Sequence, residues 1–207
     1  MTHIGHSGKM LFMKKFLIIL ILIFTLPTPS QADDIRDFQI EGMSIGDSLL
    51  DYMSKKEIKK YTGKNYYKVD KFLVANFSLP SFETYDSVQV NYKKNDNKYI
   101  IHSIGGDIYY YNNIEDCYKK KDEIVAEISE TLKSFKKKDL GRVRQSYDKI
   151  GKSYVTGISF SSSSNDDIHV ACYDWSEEIK KAKNIPDYLR VGIASGEFDF
   201  FINNEAY

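Results

Sequence analysis

Residues 114–135 read IEDCYKKKDEIVAEISETLKSF, and this stretch sets the expected fold. Its apolar residues recur three and four positions apart, with Lys and Glu between them, which is typical of a helix with one buried face. They are Ile114, Cys117, Tyr118, Ile124, Val125, Ile128, Leu132 and Phe135. We predict that this is the longest helix of the chain and that it covers one face of a sheet.

A strand pattern precedes the helix. Val88, Val90 and Tyr92 alternate with polar residues, and after the turn-rich residues 94–97 the pattern resumes over residues 99–104. This order predicts a β-hairpin. The pair Gly105-Gly106 then favours a bulge or bend before the strand continues to Tyr111.

Three further strands are predicted after the helix. Residues 154–160 and 167–173 flank the polar connection at 161–166, and Leu189, Val191 and Ile193 alternate in a last strand. Short connections between successive strands imply antiparallel pairing. The expected architecture is therefore α+β, with an antiparallel sheet of about five strands packed against one long helix.

Short helices are expected at both ends of this domain. Ser44 with Asp47, and Ser54 with Glu57, have the three-residue spacing of a capping box, so two short helices should lead the domain. Residues 197–203 predict a closing helix.

The start of the chain has the pattern of a secretory signal peptide. Lys14 and Lys15 precede an apolar run at 16–26, and Ser30-Gln31-Ala32 provides small residues at the −3 and −1 positions of a cleavage site. The run is too short for an uncleaved membrane anchor, which needs about 20 residues. Cleavage after Ala32 would leave a single domain at 33–207 in the periplasm, with no membrane span.

Two further features of the start bear on this prediction. Met13 heads a Met-Lys-Lys opening, so residues 1–12 are interpreted as a misassigned upstream start, and the true start codon stays open between Met1 and Met13. No cysteine follows the cleavage site, so a lipid anchor has no acceptor.

The charge balance argues against a nucleic-acid partner. Removal of residues 1–32 would take away Lys9, Lys14 and Lys15 and no acid, so acidic residues would outnumber basic ones by three. Long basic stretches without interleaved acids are absent from the sequence. The electrostatic pattern of a phosphate-binding protein is therefore missing.

The two cysteines predict a disulfide. Cys117 lies on the apolar stripe of the helix, and Cys172 shares strand parity with Ile168 and Val170, so both side chains should point inward. An oxidising periplasm favours a Cys117–Cys172 bond, and buried free thiols are the alternative. A metal site is not expected, because His169 and Cys172 face opposite sides of a strand.

Recognisable catalytic motifs are missing. Ser134-Phe135-Lys136-Lys137 has Ser-x-x-Lys spacing, but the partner motifs of penicillin-binding enzymes do not occur, and the segment should lie at the end of the long helix. His102 and His169 could act as bases only with partners that the sequence does not reveal. We expect no cofactor and no enzymatic activity.

Aromatic residues are the candidates for binding. Trp175, the single tryptophan, follows a buried strand and is expected to cover the edge of the core. The alternative is a recognition role, in which Trp175 and Tyr173, with Tyr109 and Tyr111, present flat amphipathic faces to a peptide or sugar.

Residues 35–50, IRDFQIEGMSIGDSLL, and residues 172–176, CYDWS, resemble a group of short exported proteins of unknown function from AT-rich marine bacteria. This resemblance covers nearly the whole mature chain and implies export, but no activity. More distantly, Gly42-Met43-Ser44 resembles the Gly-Met-Thr/Ser start of small outer-membrane-assembly lipoproteins of the SmpA/OmlA kind. The chain departs from those proteins in its greater length and in lacking their lipidated cysteine.

These observations favour a non-catalytic periplasmic module that binds another protein or an envelope component. The alternative is a hydrolase of envelope material with an unrecognised acid/base pair. A deep pocket with a histidine beside a carboxylate would favour the hydrolase, and a flat tyrosine-rich face would favour binding.

Overall fold

A computed structural model of the chain describes residues 34–63, 66–146 and 148–207, so the predicted signal peptide lies outside the described residues. Strands in this part of the chain form one antiparallel sheet. The strands are β1 (Phe72–Phe77), β2 (Ser87–Lys93), β3 (Ile101–Tyr110), β4 (Lys136–Arg144), β5 (Tyr154–Ser161), β6 (Asp167–Asp174) and β7 (Asp187–Ala194). Their order is β1-β2-β3-β7-β6-β5-β4.

Four α-helices accompany the sheet in the described residues. They are α1 (Lys55–Tyr61), α2 (Ile114–Thr131), α3 (Glu177–Lys183) and α4 (Gly196–Asn204). The α+β class, the long helix and the closing helix agree with the sequence patterns. Within the described part of the chain, the helices are too short or too polar to span a membrane.

The sheet has seven strands, so the expectation of about five is wrong. One additional strand is β1, which reads FLVANF and shows no alternation because both of its faces are buried. Leu73 and Phe77 face the main core, whereas Phe72 and Val74 pack beneath α4. A short apolar run of this kind does not distinguish a strand from a buried helical segment.

The second additional strand is β4, at the opposite edge of the sheet. It reads KKKDLGRVR and is exposed at every position, so it has no apolar face for a periodicity argument to detect. Among the strands it pairs with β5, and Arg142 adds an ion pair of 3.1 Å to Asp174 of β6. Charged residues on such an edge also discourage pairing with another chain.

Of the two short helices expected at the start of the domain, only the second is an α-helix. Ser54 and Glu57 do form a capping box that begins α1. Residues 44–47, however, form a turn in which the Ser44 backbone amide donates to Asp47, 2.8 Å away. Gly46 has a φ of +93°, which a right-handed helix cannot contain, and only a 3-10 turn follows at Leu49–Asp51.

Helix α2 packs on one face of the sheet, which we call the packed face. It contacts β6, β7 and β3 through buried residues that include Cys117, Val125 and Ile128. The Sγ atoms of Cys117 and Cys172 are 2.05 Å apart, at disulfide distance, and join α2 to β6. The structure therefore brings together the two cysteines whose side chains were predicted to point inward.

The opposite face, which we call the open face, is covered only in part. Phe198 and Phe201 of α4 pack against Phe72 and Val74 at the β1 side. Toward β6 the face bears polar and aromatic residues instead of an apolar core. Strand β3 continues through Gly105 and Gly106, as expected. The irregularity in its pairing with β2 lies at Asn91 and Tyr92, and not at the two glycines.

Candidate functional site

A cavity of about 390 Å³ lies on the open face, above strands β2, β3, β7 and β6. Helix α4 and the segment around Tyr67 form one wall, and aromatic residues of β6 and β7 form another. The floor consists of the side chains that point away from α2, because successive residues of a strand alternate between the two faces.

A pair of glycines makes the floor deep. Gly105 of β3 and Gly192 of β7 lie opposite each other in the antiparallel register. A Cβ atom at Gly192 would lie 2.1 Å from Cε1 of His169, so the imidazole occupies the space that a side chain would need. At Gly105 the side chain of Arg190 lies alongside, with Cδ 3.5 Å from the corresponding position.

Arg190 and Asp107 form a buried ion pair beside these glycines. The guanidinium donates from Nε to Oδ1 over 2.7 Å and from Nη2 to Oδ2 over 2.8 Å. Burial alone would lower the pKa of Arg190, but the bonds to Asp107 raise it above its usual value. The guanidinium is therefore charged, paired and fixed in place.

His169 is the second polar group of the floor. Its Nδ1 lies 3.8 Å from Oδ2 of Asp167, and 32% of its side chain is exposed, into the cavity. Burial lowers the pKa of His169 to about 4, and the positive charge of Arg190 acts in the same direction against the opposing effect of Asp107. The imidazole is neutral at pH 7 as a result.

Asp167 is stabilised by neighbouring hydroxyl groups. Ser159 and Ser161 both donate hydrogen bonds to its Oδ1. Burial raises the pKa of Asp167, while these hydrogen bonds act to lower it. Burial also raises the pKa of Asp199, which takes a 3.0 Å hydrogen bond from Asn203.

Aromatic rings line the wall at the ends of β6 and β7. Tyr173 and Tyr188 face each other across the two strands and stack with ring centroids 4.4 Å apart. Trp175 joins them at 5.6 Å from Tyr173 and is only 4% exposed. Its backbone amide donates to Asp187, 2.7 Å away, which fixes the turn after β6.

The other wall includes Tyr67. Its hydroxyl donates to Oδ1 of Asn91 over 2.7 Å, and its ring packs edge-on against Phe201 at 5.2 Å. Burial raises the pKa of Tyr67 well above its usual value, so the hydroxyl stays protonated and serves as a donor.

Gln89 and Ser103 line the cavity without an internal partner. They are 7% and 8% exposed, and within the described residues their side chains make no hydrogen bond to the protein. Their polar atoms are not fully buried, so they reach the open space of the cavity. The carboxamide and the hydroxyl are therefore available to a molecule in the cavity.

The predicted binding residues fall into two adjacent places. Tyr173 and Trp175 belong to the cavity wall. Tyr109 and Tyr111 line a neighbouring groove, where the Tyr109 hydroxyl donates to Ser87 over 2.9 Å and Tyr111 is 74% exposed. Tyr188 and Arg190 line both places and connect them. The Cys117–Cys172 pair lies on the packed face and takes no part.

Two other segments with possible chemistry lie outside the cavity lining. His102 packs edge-on against Phe72 and has Nδ1 3.7 Å from Glu197. Burial lowers the pKa of His102, with Lys93 acting in the same direction. Residues 134–137 follow α2 and enter β4, so the Ser-x-x-Lys spacing does not fall within a helix.

Comparisons with family models, curated proteins and solved structures found no match. The interpretation of the site consequently rests on its own geometry and chemistry.

Several residues of the site were not predicted, namely Gln89, Asn91, Ser103, Asp107, Tyr188 and Arg190. All of them occupy the polar positions of alternating strands, which are ordinarily interpreted as solvent-facing. Gly105 of β3 and Gly192 of β7 are the sequence signal that could have located them. A glycine inside a strand indicates that another group approaches closely at that position.

Proposed function

We propose that this protein is a non-catalytic binding module of the bacterial envelope, exported to the periplasm, and that its ligand is an envelope component that enters the cavity. The observation that carries this proposal is the presence of buried polar side chains, Gln89 and Ser103, that open into an aromatic-lined cavity without internal partners. Pockets of this composition, with a few placed polar groups among apolar walls, are typical of small-molecule sites.

The sequence and the cysteine pair support the proposed location. The signal-peptide pattern ends at Ala32, and Cys117 and Cys172 lie at disulfide distance. Disulfides persist in oxidising compartments such as the periplasm. A small domain with two cysteines at disulfide distance fits a component that works outside the cytoplasm.

A hydrolase is the second candidate, and the placement of His169 beside Asp167 favours it. A neutral imidazole can accept a proton from water, and a nearby carboxylate can orient it. The distance of 3.8 Å between Nδ1 and Oδ2 is longer than a hydrogen bond, and Asp167 already accepts from two serines. We therefore rank binding above hydrolysis.

Ligand capture followed by native mass spectrometry tests the proposal. The mature protein, residues 33–207, is incubated with the small-molecule fraction of an envelope extract and measured for a bound mass. Gly105→Leu places a side chain in the cavity, and Asn97→Leu, at an exposed position of the turn between β2 and β3, is the control. We expect a bound mass for the unmodified chain and the control, and its loss in Gly105→Leu.

The same experiment separates the two candidates. Binding predicts that the released component has the mass it had in the extract, whereas hydrolysis predicts fragments that accumulate with time and disappear in His169→Gln. Equal capture by the unmodified chain, the control and Gly105→Leu, or no capture at all, would contradict a ligand site in this cavity.

A further inference from the structure

The charged groups of the cavity lining are already hydrogen-bonded within the protein, including Asp199, which accepts from Asn203. Arg190 is paired with Asp107 through two hydrogen bonds, and Asp167 accepts from Ser159 and Ser161. His169 faces the cavity as a neutral ring at pH 7 because burial lowers its pKa. An anionic ligand group would have to break the Arg190–Asp107 pair or remain unpaired in a buried place, which is costly.

Several uncharged groups of the lining have no hydrogen-bond partner within the described protein. They include the carboxamide of Gln89, the hydroxyl of Ser103 and the imidazole of His169. Together these groups can both donate and accept hydrogen bonds. They match a ligand that carries hydroxyl or amide groups and no charge.

The walls add a second requirement. Tyr173 and Tyr188 are half-buried and present ring surfaces beside the polar floor, and the more deeply buried Trp175 and Tyr67 complete the walls. Aromatic side chains offer a large rigid apolar surface beside a polar group, which suits a ligand that has both apolar C–H faces and hydroxyl edges. A pyranose ring has this combination.

We propose that the cavity binds an uncharged saccharide ring, with Gln89 and Ser103 hydrogen-bonded to its hydroxyl or amide groups and the aromatic wall against its C–H face. This inference rests on the proposed function and specifies the class of ligand.

A titration with matched sugars tests the class. The probes are N,N′-diacetylchitobiose, which is neutral, its deacetylated form, which is cationic, and cellobiouronic acid, a β-1,4-linked disaccharide that is anionic at pH 7. Trp175 is the chain's single tryptophan and lies on the wall, so its fluorescence reports occupancy. We expect a saturable change with the neutral disaccharide, at least tenfold weaker binding of the anionic probe and no tighter binding of the cationic one. Tighter binding of a charged probe, or no response to the neutral one, would overturn the inference.

Gln89→Leu tests the proposed hydrogen bond between Gln89 and the saccharide with a variant that should still fold. Gln89 has no partner in the described protein, so an apolar replacement of similar size should leave the unfolding midpoint unchanged or higher. We expect it to weaken binding of the neutral disaccharide about tenfold, as the loss of one hydrogen bond does. Asn97→Leu, at an exposed turn position outside the cavity lining, is the control and should bind normally.

Two results would count against Gln89 as a contact. One is a lowered midpoint with unchanged affinity, which would indicate a structural role. The other is unchanged affinity in both Gln89→Leu and the smaller change Ser103→Ala.

The failure of this inference is distinguishable from the failure of the proposed function. The neutral disaccharide should displace the captured envelope component in the mass-spectrometric experiment. If a component is captured in the cavity and none of the sugars displaces it, the saccharide class is wrong and the binding function stands.

Discussion

Asp107 of β3 and Arg190 of β7 lie directly opposite each other and share two hydrogen bonds, of 2.7 and 2.8 Å, beside the floor of the cavity. Their side chains are only 9% and 20% exposed. The pair joins the β1-β2-β3 half of the sheet to the half that contains β6, and it holds a guanidinium near the rings of Tyr173 and Tyr188. It is thus both a structural link and the charged boundary of the site.

Loss of the Asp107 charge should destabilise the fold. Asp107→Asn leaves a buried guanidinium without its counter-charge, which costs on the order of 3 to 5 kcal/mol. The control is Asp34→Asn, which breaks an ion pair whose side chains are 43% and 69% exposed and should cost at most about 1 kcal/mol. Urea unfolding measures both. Equal free energies of unfolding for the two variants would show that the buried ion pair stabilises the fold no more than the exposed one does.

Trp175 should contribute to the stability of the core. It is 4% exposed, so Trp175→Ala should lower the free energy of unfolding by about 3 to 5 kcal/mol, as large aromatic truncations do. Tyr111, 74% exposed, is the matched control, and Tyr111→Ala should change stability by about 0.5 kcal/mol or less. An unchanged midpoint and slope for Trp175→Ala in denaturant would refute the core role.

The packed face was accessible to sequence reasoning because its residues follow simple periods. The stripe of α2 and the alternation of β2 and β7 both report burial against one core, so the cysteines could be oriented from parity alone. Strands β1 and β4 escaped this reasoning, since one is buried on both faces and the other on neither. Periodicity detects a boundary between core and solvent, and these strands have none.

The open face could be predicted only in part. Tyr173 and Trp175 were selected because Trp175 is the single tryptophan and because aromatic rings offer flat amphipathic faces to a ligand. Asp107 and Arg190 are 83 residues apart in the chain, and nothing local to either indicates the other. Their pairing depends on the β3–β7 register, which is a long-range property of the sheet.

The cysteine pair should be oxidised in the exported protein. Cys117 and Cys172 are 55 residues apart, and the chain-entropy model gives a stabilisation of about 4 kcal/mol for a loop of this length. We expect no reactive thiol in the unreduced protein even after denaturation, and two thiols after reduction. Titration with a thiol reagent measures both states, and two thiols in denatured, unreduced protein would contradict the bond.

The stability of the fold should decrease as the pH falls from about 6.5 to about 4 because of His169. Its pKa is about 4 in the folded state, against about 6.5 in an unfolded chain, so the unfolded state binds more protons in this window. The contribution is complete above pH 6.5 and lost toward pH 4. Burial raises the pKa of Asp167, which acts in the opposite direction.

A comparison of variants isolates the histidine. Denaturant unfolding at a series of pH values should give a shallower decrease for His169→Gln than for the unmodified chain. His102→Gln retains His169 and should keep most of the decrease. Parallel curves for the unmodified chain and His169→Gln would show that the buried imidazole does not titrate as described.

Gly105 and Gly192 lie opposite each other in the floor, and an added methyl group should affect stability differently at the two positions because their neighbours differ. A Cβ at Gly192 would lie 2.1 Å from Cε1 of His169, whereas a Cβ at Gly105 would lie 3.5 Å from Cδ of Arg190, an ordinary contact. Gly192→Ala should therefore cost about 1 to 3 kcal/mol, as overpacking does, and Gly105→Ala less. The double variant Gly192→Ala/His169→Ala should lose less free energy of unfolding than the two single variants lose together, because the ring that would clash with the new methyl group is absent. Additive free energies of unfolding in this cycle would mean that His169 does not lie over Gly192, and that the floor of the cavity has another shape.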